Sequence, residues 1–135
     1  MSNKEIKEAI EDFLELLEPG FPTAYENVNF KPTEAAFQAP SFLFAEPDNR
    51  GYANDPYLQR GIFTNTLAYP INEGGGAAQA KAETVKQHFR RGTTILADGL
   101  KIIIETTPEI AGGNVEDDRY IIRVRCRFFA YVDTA

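Results

Sequence analysis

The chain of 135 residues holds one cysteine (Cys126), one histidine (His88), one methionine and no tryptophan. A lone thiol rules out an intrachain disulfide framework and any zinc site built on several thiolates. A lone imidazole rules out His-x-x-x-His pairs and His-rich metal clusters. No apolar run approaches the roughly 20 residues that a membrane span needs, so no membrane partner is expected. The start, Met1-Ser2-Asn3-Lys4-Glu5, turns directly into an acidic amphipathic pattern and does not read as a signal peptide. A basic excess is missing too, since 14 Lys and Arg stand against 20 Asp and Glu for a net charge of −6. Duplex-DNA binders draw most of their affinity from neutralising phosphates, so this balance argues against one. The expectation is a soluble, thiol-poor protein of a reducing compartment.

What is present suffices for a packed core. Hydrophobic residues make up 43% and aromatics 12% of a chain of ordinary single-domain length. One domain spanning residues 1–135 is expected, without repeats or a linker. Residues 4 to 17 place Ile6, Ala9, Ile10, Phe13, Leu14 and Leu17 on one helical stripe. Acidic residues from Glu5 to Glu18 cover the other face. Ser2 with Glu5 fits a capping box, and Pro19-Gly20 stops the helix.

Strand patterns follow. Thr23 to Phe30 alternates, Ser41 to Glu46 reads as a short strand after Pro40, and Leu58 to Tyr69 reads as a longer one. Between the last two, the polar stretch Pro47 to Pro56 exceeds what a tight hairpin needs and reads as an exposed contact arm. After Gly74-Gly75-Gly76, the residues Ala78, Ala82, Val85 and Phe89 form a second buried helical face, with Gly92 as its stop. Thr93 to Ala97 and Leu100 to Thr106 flank an Asp98-Gly99 turn. A polar turn is expected from Ala111 through Asp118, and a long strand from Arg119 to Val132. The even positions of that strand, Tyr120 to Val132, form a continuous apolar face. The order is α-β-β-β-α-β-β-β: an α+β fold, a mostly antiparallel or mixed sheet with two helices packed on one face.

Catalytic chemistry finds little support in these residues. The triple glycine lacks the Gly-Lys-Ser/Thr of a phosphate loop and reads as a hinge capping the second helix. Cys126 lies among Ile122, Val124 and Phe128, where a thiol behaves as a small hydrophobe. His88, beside Phe89, is expected to face solvent. Glu116-Asp117-Asp118 suits a solvated hairpin tip better than a dedicated cation site, since calcium-loop spacing is missing. No cofactor, metal or catalytic residue is assigned.

The most informative feature is a ladder of arginines. Arg119, Arg123, Arg125 and Arg127 share one face of the last strand, the last three within about 14 Å. Pairing with carboxylates such as Glu105, or with the acidic helix face of another subunit, outweighs binding of nucleic-acid backbone because the chain is acidic. The candidate subunit-contact residues are Arg119, Arg123, Arg125 and Arg127, together with Arg50, Tyr52, Tyr57 and Arg60 of the arm and its exit. Two other classes remain open at this point. A small nucleic-acid-binding or metal-dependent phosphodiesterase domain would use the ladder and Glu116-Asp118. A small-molecule binder would use Phe37, Phe42, Phe44 and Phe63.

The segment Ala24 to Pro32 resembles the aromatic-x-Asn-x-x-Phe-x-Pro signature of a tailed-phage and prophage protein family. Arg60-Gly61-Ile62-Phe63 and the glycine-rich turn leading to Ala78-Gln79-Ala80-Lys81-Ala82 resemble its next two blocks. These proteins are similar to the tail terminators of lambdoid long-tailed phages, and the resemblance runs over about residues 5 to 132. It implies a minor tail protein, found in the virion tail and in the host cytoplasm during assembly. It implies a hexameric ring on the last ring of the tail tube that stops tube polymerisation and presents the head-joining surface. DNA would pass through the ring without sequence-specific binding, and the partners would be the tube protein and head-tail connector proteins. A chain that stays monomeric in solution and rings up only on the tube tip would avoid premature rings. A head-to-tail joining or other neck protein is the alternative.

Overall fold

The computed structural model describes residues 3–19, 21–26, 36–49, 57–71, 75–97, 100–116 and 119–132. Its elements run α1 (Asn3–Leu17), β1 (Phe37–Phe44), β2 (Asp48–Asn49), β3 (Tyr57–Pro70), α2 (Gly75–His88), β4 (Thr94–Ala97), β5 (Leu100–Ile104), β6 (Glu109–Glu116) and β7 (Arg119–Val132). The strands form one seven-stranded sheet in the order β1-β3-β7-β5-β4, with β2 added to β3 and β6 added to β7. Every ladder between these strands is antiparallel.

β7 organises the sheet because its long alternation gives it an apolar side and a polar side. β3 pairs with it from Tyr57 opposite Val132 to Pro70 opposite Arg119. Along the other margin of β7, β6 and β5 lie end to end, opposite residues 119–125 and 128–131 respectively. The even residues Ile122, Val124, Cys126, Phe128, Ala130 and Val132 are buried. They share the core with Phe63 and Leu67 of β3, with Ile6, Ile10 and Leu14 of α1, and with Ala78, Ala82 and Val85 of α2. Both helices therefore cover one side of the sheet. The alanines of α2 let it lie close over β7, where Phe89 fills the space beyond its last turn.

Three expectations are corrected. Thr23 forms only an isolated parallel bridge to Gln38, and Ala24–Glu26 are not strand; Asn27–Phe30 lie outside the described residues. Backbone bonds from Ala24 N to Gln38 O (2.8 Å) and from Gln38 N to Pro22 O (3.0 Å) instead make residues 21–26 a strap on the margin of β1. Second, β1 begins at Phe37 rather than after Pro40. A proline is tolerated there because β1 lies at the sheet edge, where one side of its backbone needs no ladder donor. Third, residues 109–116 form β6 rather than a polar turn. The glycines are absorbed by a bulge between Gly112 and Asn114, with Gly112 at φ 112° and Gly113 at φ 100°.

Among the described residues, the polar side chains of Gln38, Gln59 and Asn65 are buried. Asn65 Nδ2 donates to Gln38 Oε1 (3.1 Å), Gln38 Nε2 donates to Thr23 Oγ1 (3.1 Å), and Thr23 Oγ1 donates to Phe21 O (2.9 Å). This chain of bonds ties the strap to the middle of β3. Gln59 Nε2 donates to Ala45 O and Arg60 O and holds the corner where the chain leaves β1.

Candidate functional site

The side of the sheet away from the helices is set by the odd residues of β7, and cross-strand register decides what stands beside each. Arg125 lies between Thr64 of β3 and Glu109 of β6, with Ser41 of β1 beyond Thr64. Arg127 lies beside Ile62, with Leu43 beyond it. Phe129 lies between Arg60 and Ile103, and Tyr131 between Leu58 and Lys101, with Leu96 at the far edge. The result is a face of mixed cationic and apolar rows. Leu43, Tyr131 and Leu96 are exposed by 69%, 56% and 75% respectively, although each is large and apolar. Exposed side chains of this kind, gathered on one face and mixed with arginine, are typical of contact surfaces.

The arginine ladder divides in two. Arg119 lies over the Phe37 ring, 4.9 Å from its centroid, and Arg123 grips Glu116 across the β6–β7 hairpin at 3.1 and 3.5 Å. Arg119 thus ties β7 to β1, and Arg123 braces the hairpin. Arg125 and Arg127 are exposed and form no ion pair among the described residues. Glu105, a candidate partner of the ladder, pairs with Arg60 at 3.8 Å, and its backbone N–H donates to Arg127 O (2.8 Å). A groove of about 330 Å³ lies between Leu43, Ile62, Arg60, Glu105 and Arg127. Tyr57 stands apart, half-buried against the core opposite Val132. Arg50 and Tyr52 lie outside the described residues.

The residues considered for catalysis or ligand binding are placed differently. Burial pushes the Cys126 thiol up to about 12, which suppresses the thiolate. His88 does not face open solvent as expected: its ring stacks on Phe13 at 4.1 Å and its Nε2–H donates to Phe13 O at 2.6 Å. The interhelical contact of α1 and α2 outweighs exposure for an imidazole at the end of a buried helical face. Among the described residues no group of three His, Cys, Asp or Glu is placed to hold a metal; Asp117 and Asp118 lie outside them. Phe42 packs on Phe63 (5.2 Å) and Phe44 on Phe128 (6.0 Å) in the core, while Phe37 lies under Arg119 on the other side of the sheet. Phe37 therefore stands on the side of the sheet away from Phe42, Phe44 and Phe63.

Sequence reasoning missed the apolar half of the bare face. Leu43, Ile62, Ile103, Phe129 and Leu96 come from five strands, and only register joins them. The one available signal was the odd series of β7, which carries Phe129 and Tyr131 after the arginines.

An α+β sheet with helices on one side and a mixed cationic and apolar surface on the other suits a protein that works through contacts. The chain matches the phage tail terminator family over residues 5–128, and it belongs to that family. It is a structural protein of the phage tail, not an enzyme. A solved structure that is 21% identical shares the fold, with a TM-score of 0.75 over 96% of each chain. No curated protein is similar to the chain by sequence. Among the described residues no helix is long and apolar enough to cross a membrane.

Proposed function

We propose that copies of this protein close into a hexameric ring on the last ring of the tail tube. The ring ends tube polymerisation and presents the surface to which head-tail connector proteins bind. The observation that supports this reading best is the side of the sheet away from the helices, where Arg125, Arg127 and Arg60 are exposed beside Leu43, Ile62 and Phe129 and no helix of the described residues covers them. A tail terminator needs surfaces rather than reactive groups, and a ring needs a heterologous contact that closes. In this reading Arg125, Arg127 and Arg60 belong to the subunit contact, while Arg119 and Arg123 hold β7 to β1 and to β6. Arg50, Tyr52 and Tyr57 of the arm meet a neighbour or the tube. DNA passes through the ring, and the net charge of −6 favours sliding over sticking. Assembly takes place in the host cytoplasm before the protein is carried into the virion, and residues 1–135 act as one domain.

Tail length in a phage or prophage lacking the gene tests the proposal. Tubes of irregular, runaway length are the expected result, with normal length restored by the supplied protein. Tails of normal length that fail to join heads would assign the protein to the neck instead.

A further inference from the structure

On the side of the sheet away from the helices, Arg125 and Arg127 form no ion pair among the described residues, and the structure offers carboxylates on the opposite side of the molecule. The outward stripe of α1 carries Glu5, Glu8, Asp12 and Glu15, all exposed, with Leu16 beside them at 71% exposure. The cations of the helix do little to offset this. Lys7 is drawn to Glu26 at 3.5 Å and Lys4 reaches Glu8 only at 3.9 Å, while Asp12 and Glu15 form no ion pair among the described residues. An acidic stripe thus backs the helix layer, and a cationic stripe lines the far side of the sheet layer. One copy cannot bring the two together, because the sheet lies between them.

The geometry points to the acidic stripe of α1 in a second copy as the occupant of the cationic sheet face, a heterologous contact that repeats from copy to copy. This inference rests on the ring reading above and names the two surfaces that meet. The spacings agree. Successive helical turns from Glu8 to Asp12 to Leu16 advance about 6 Å each, and alternate strand residues from Arg125 to Arg127 to Phe129 advance about 7 Å each. Laid in that direction, Glu8 faces Arg125, Asp12 faces Arg127, and Leu16 reaches Phe129 and Tyr131. The charges and the exposed apolar side chains are then matched in one register. A nucleic-acid backbone would meet the arginines but leave Leu43, Ile62 and Leu16 in water, and it does not suit an acidic chain.

Charge-exchange variants test the pairing, read as tail length in a phage lacking the gene. The sheet variant is Arg125→Glu with Arg127→Glu, and the helix variant is Glu8→Arg with Asp12→Arg. Circular dichroism and thermal unfolding of each purified variant establish that it folds. Each variant alone should give runaway tails. The chain carrying all four changes should restore normal length, and so should co-expression of the two variants, because alternating copies then present opposite charges at every contact. Normal tails from both separate variants would overturn the ring-contact reading itself. A defective sheet variant beside a normal helix variant, with no rescue by either route, would keep the sheet face as a contact and overturn α1 as its occupant. Salt-sensitive binding of a DNA duplex by the wild-type protein, lost in the sheet variant and accompanied by no rescue, would assign the face to nucleic acid and overturn the inference.

Discussion

Gly61 lies directly across from Phe128, and a methyl group on Gly61 would stand 2.6 Å from Phe128 Cζ and 3.0 Å from the Leu43 carbonyl oxygen. The missing side chain of β3 is the space that the β7 ring fills. Gly61→Ala should lower stability by about 1–3 kcal/mol, since an inserted carbon forces the ring or the backbone of β1 to move. Denaturant unfolding checks this. Adding Phe128→Leu should make Gly61→Ala less harmful than it is in the wild-type background.

The buried amides should behave as a pair. Gln38→Leu takes the acceptor from Asn65 Nδ2, whose companion Oδ1 is already without a partner, and cuts the tie to Thr23. A loss of about 1–3 kcal/mol is expected from the stranded polar group. Adding Asn65→Leu removes that group, so the double variant should be less destabilised than the sum of the two single changes. A double-mutant cycle in thermal unfolding measures the difference, and strict additivity would refute the coupling.

Cys126 should stay silent in the folded protein and set an alkaline limit on stability. Its pKa rises from the ordinary 9.0 to about 12 because burial disfavours the thiolate. The unfolded chain releases this proton first, so the contribution is complete below about pH 9 and is lost as pH climbs towards 12. At pH 10 the loss from this group is on the order of 1 kcal/mol. Cys126→Ala should show a shallower fall in stability between pH 8 and pH 10.5. Thiol reagents should label the wild-type protein only once it unfolds.

Glu11 should respond in the acid range. Burial raises its pKa above the ordinary 4.5, Lys7 works against the shift, and the carboxylates of Glu26, Asp12 and Glu8 add to it. A raised folded value means that stability is fully present below 4.5 and falls as the group ionises. Glu11→Gln should therefore raise the melting temperature modestly at pH 7, and the gain should disappear near pH 4. An equal gain at both pH values would show that charge is not the cause.

The helices were legible because each buries one stripe at helical spacing, as Ile6, Ala9, Ile10 and Leu14 do in α1. β7 was legible for the same reason at period two. Irregular positions obscured the rest. Pro40 hid the first half of an edge strand, and Gly112-Gly113 made a bulged strand look like a turn. In Thr23 to Glu26 an alternating pattern reflects a strap whose polar side chains bond to β1. Phe42 N, for example, donates to Glu26 Oε1 at 3.0 Å.

Local order determined the two helices, the apolar side of β7 and the run of arginines, since each rests on neighbours a few residues apart. It also carried the resemblance to tail terminators. Tertiary structure alone decided which arginines are held and which are offered. Arg119 and Arg123 are held by Phe37 and Glu116, whereas Arg125 gains Thr64 and Glu109 as neighbours and Arg127 gains Ile62 and Leu43. The physical reason is register. Hydrogen bonding across β1, β3 and β7 places residues far apart in the chain side by side, and no periodicity within one strand records that alignment.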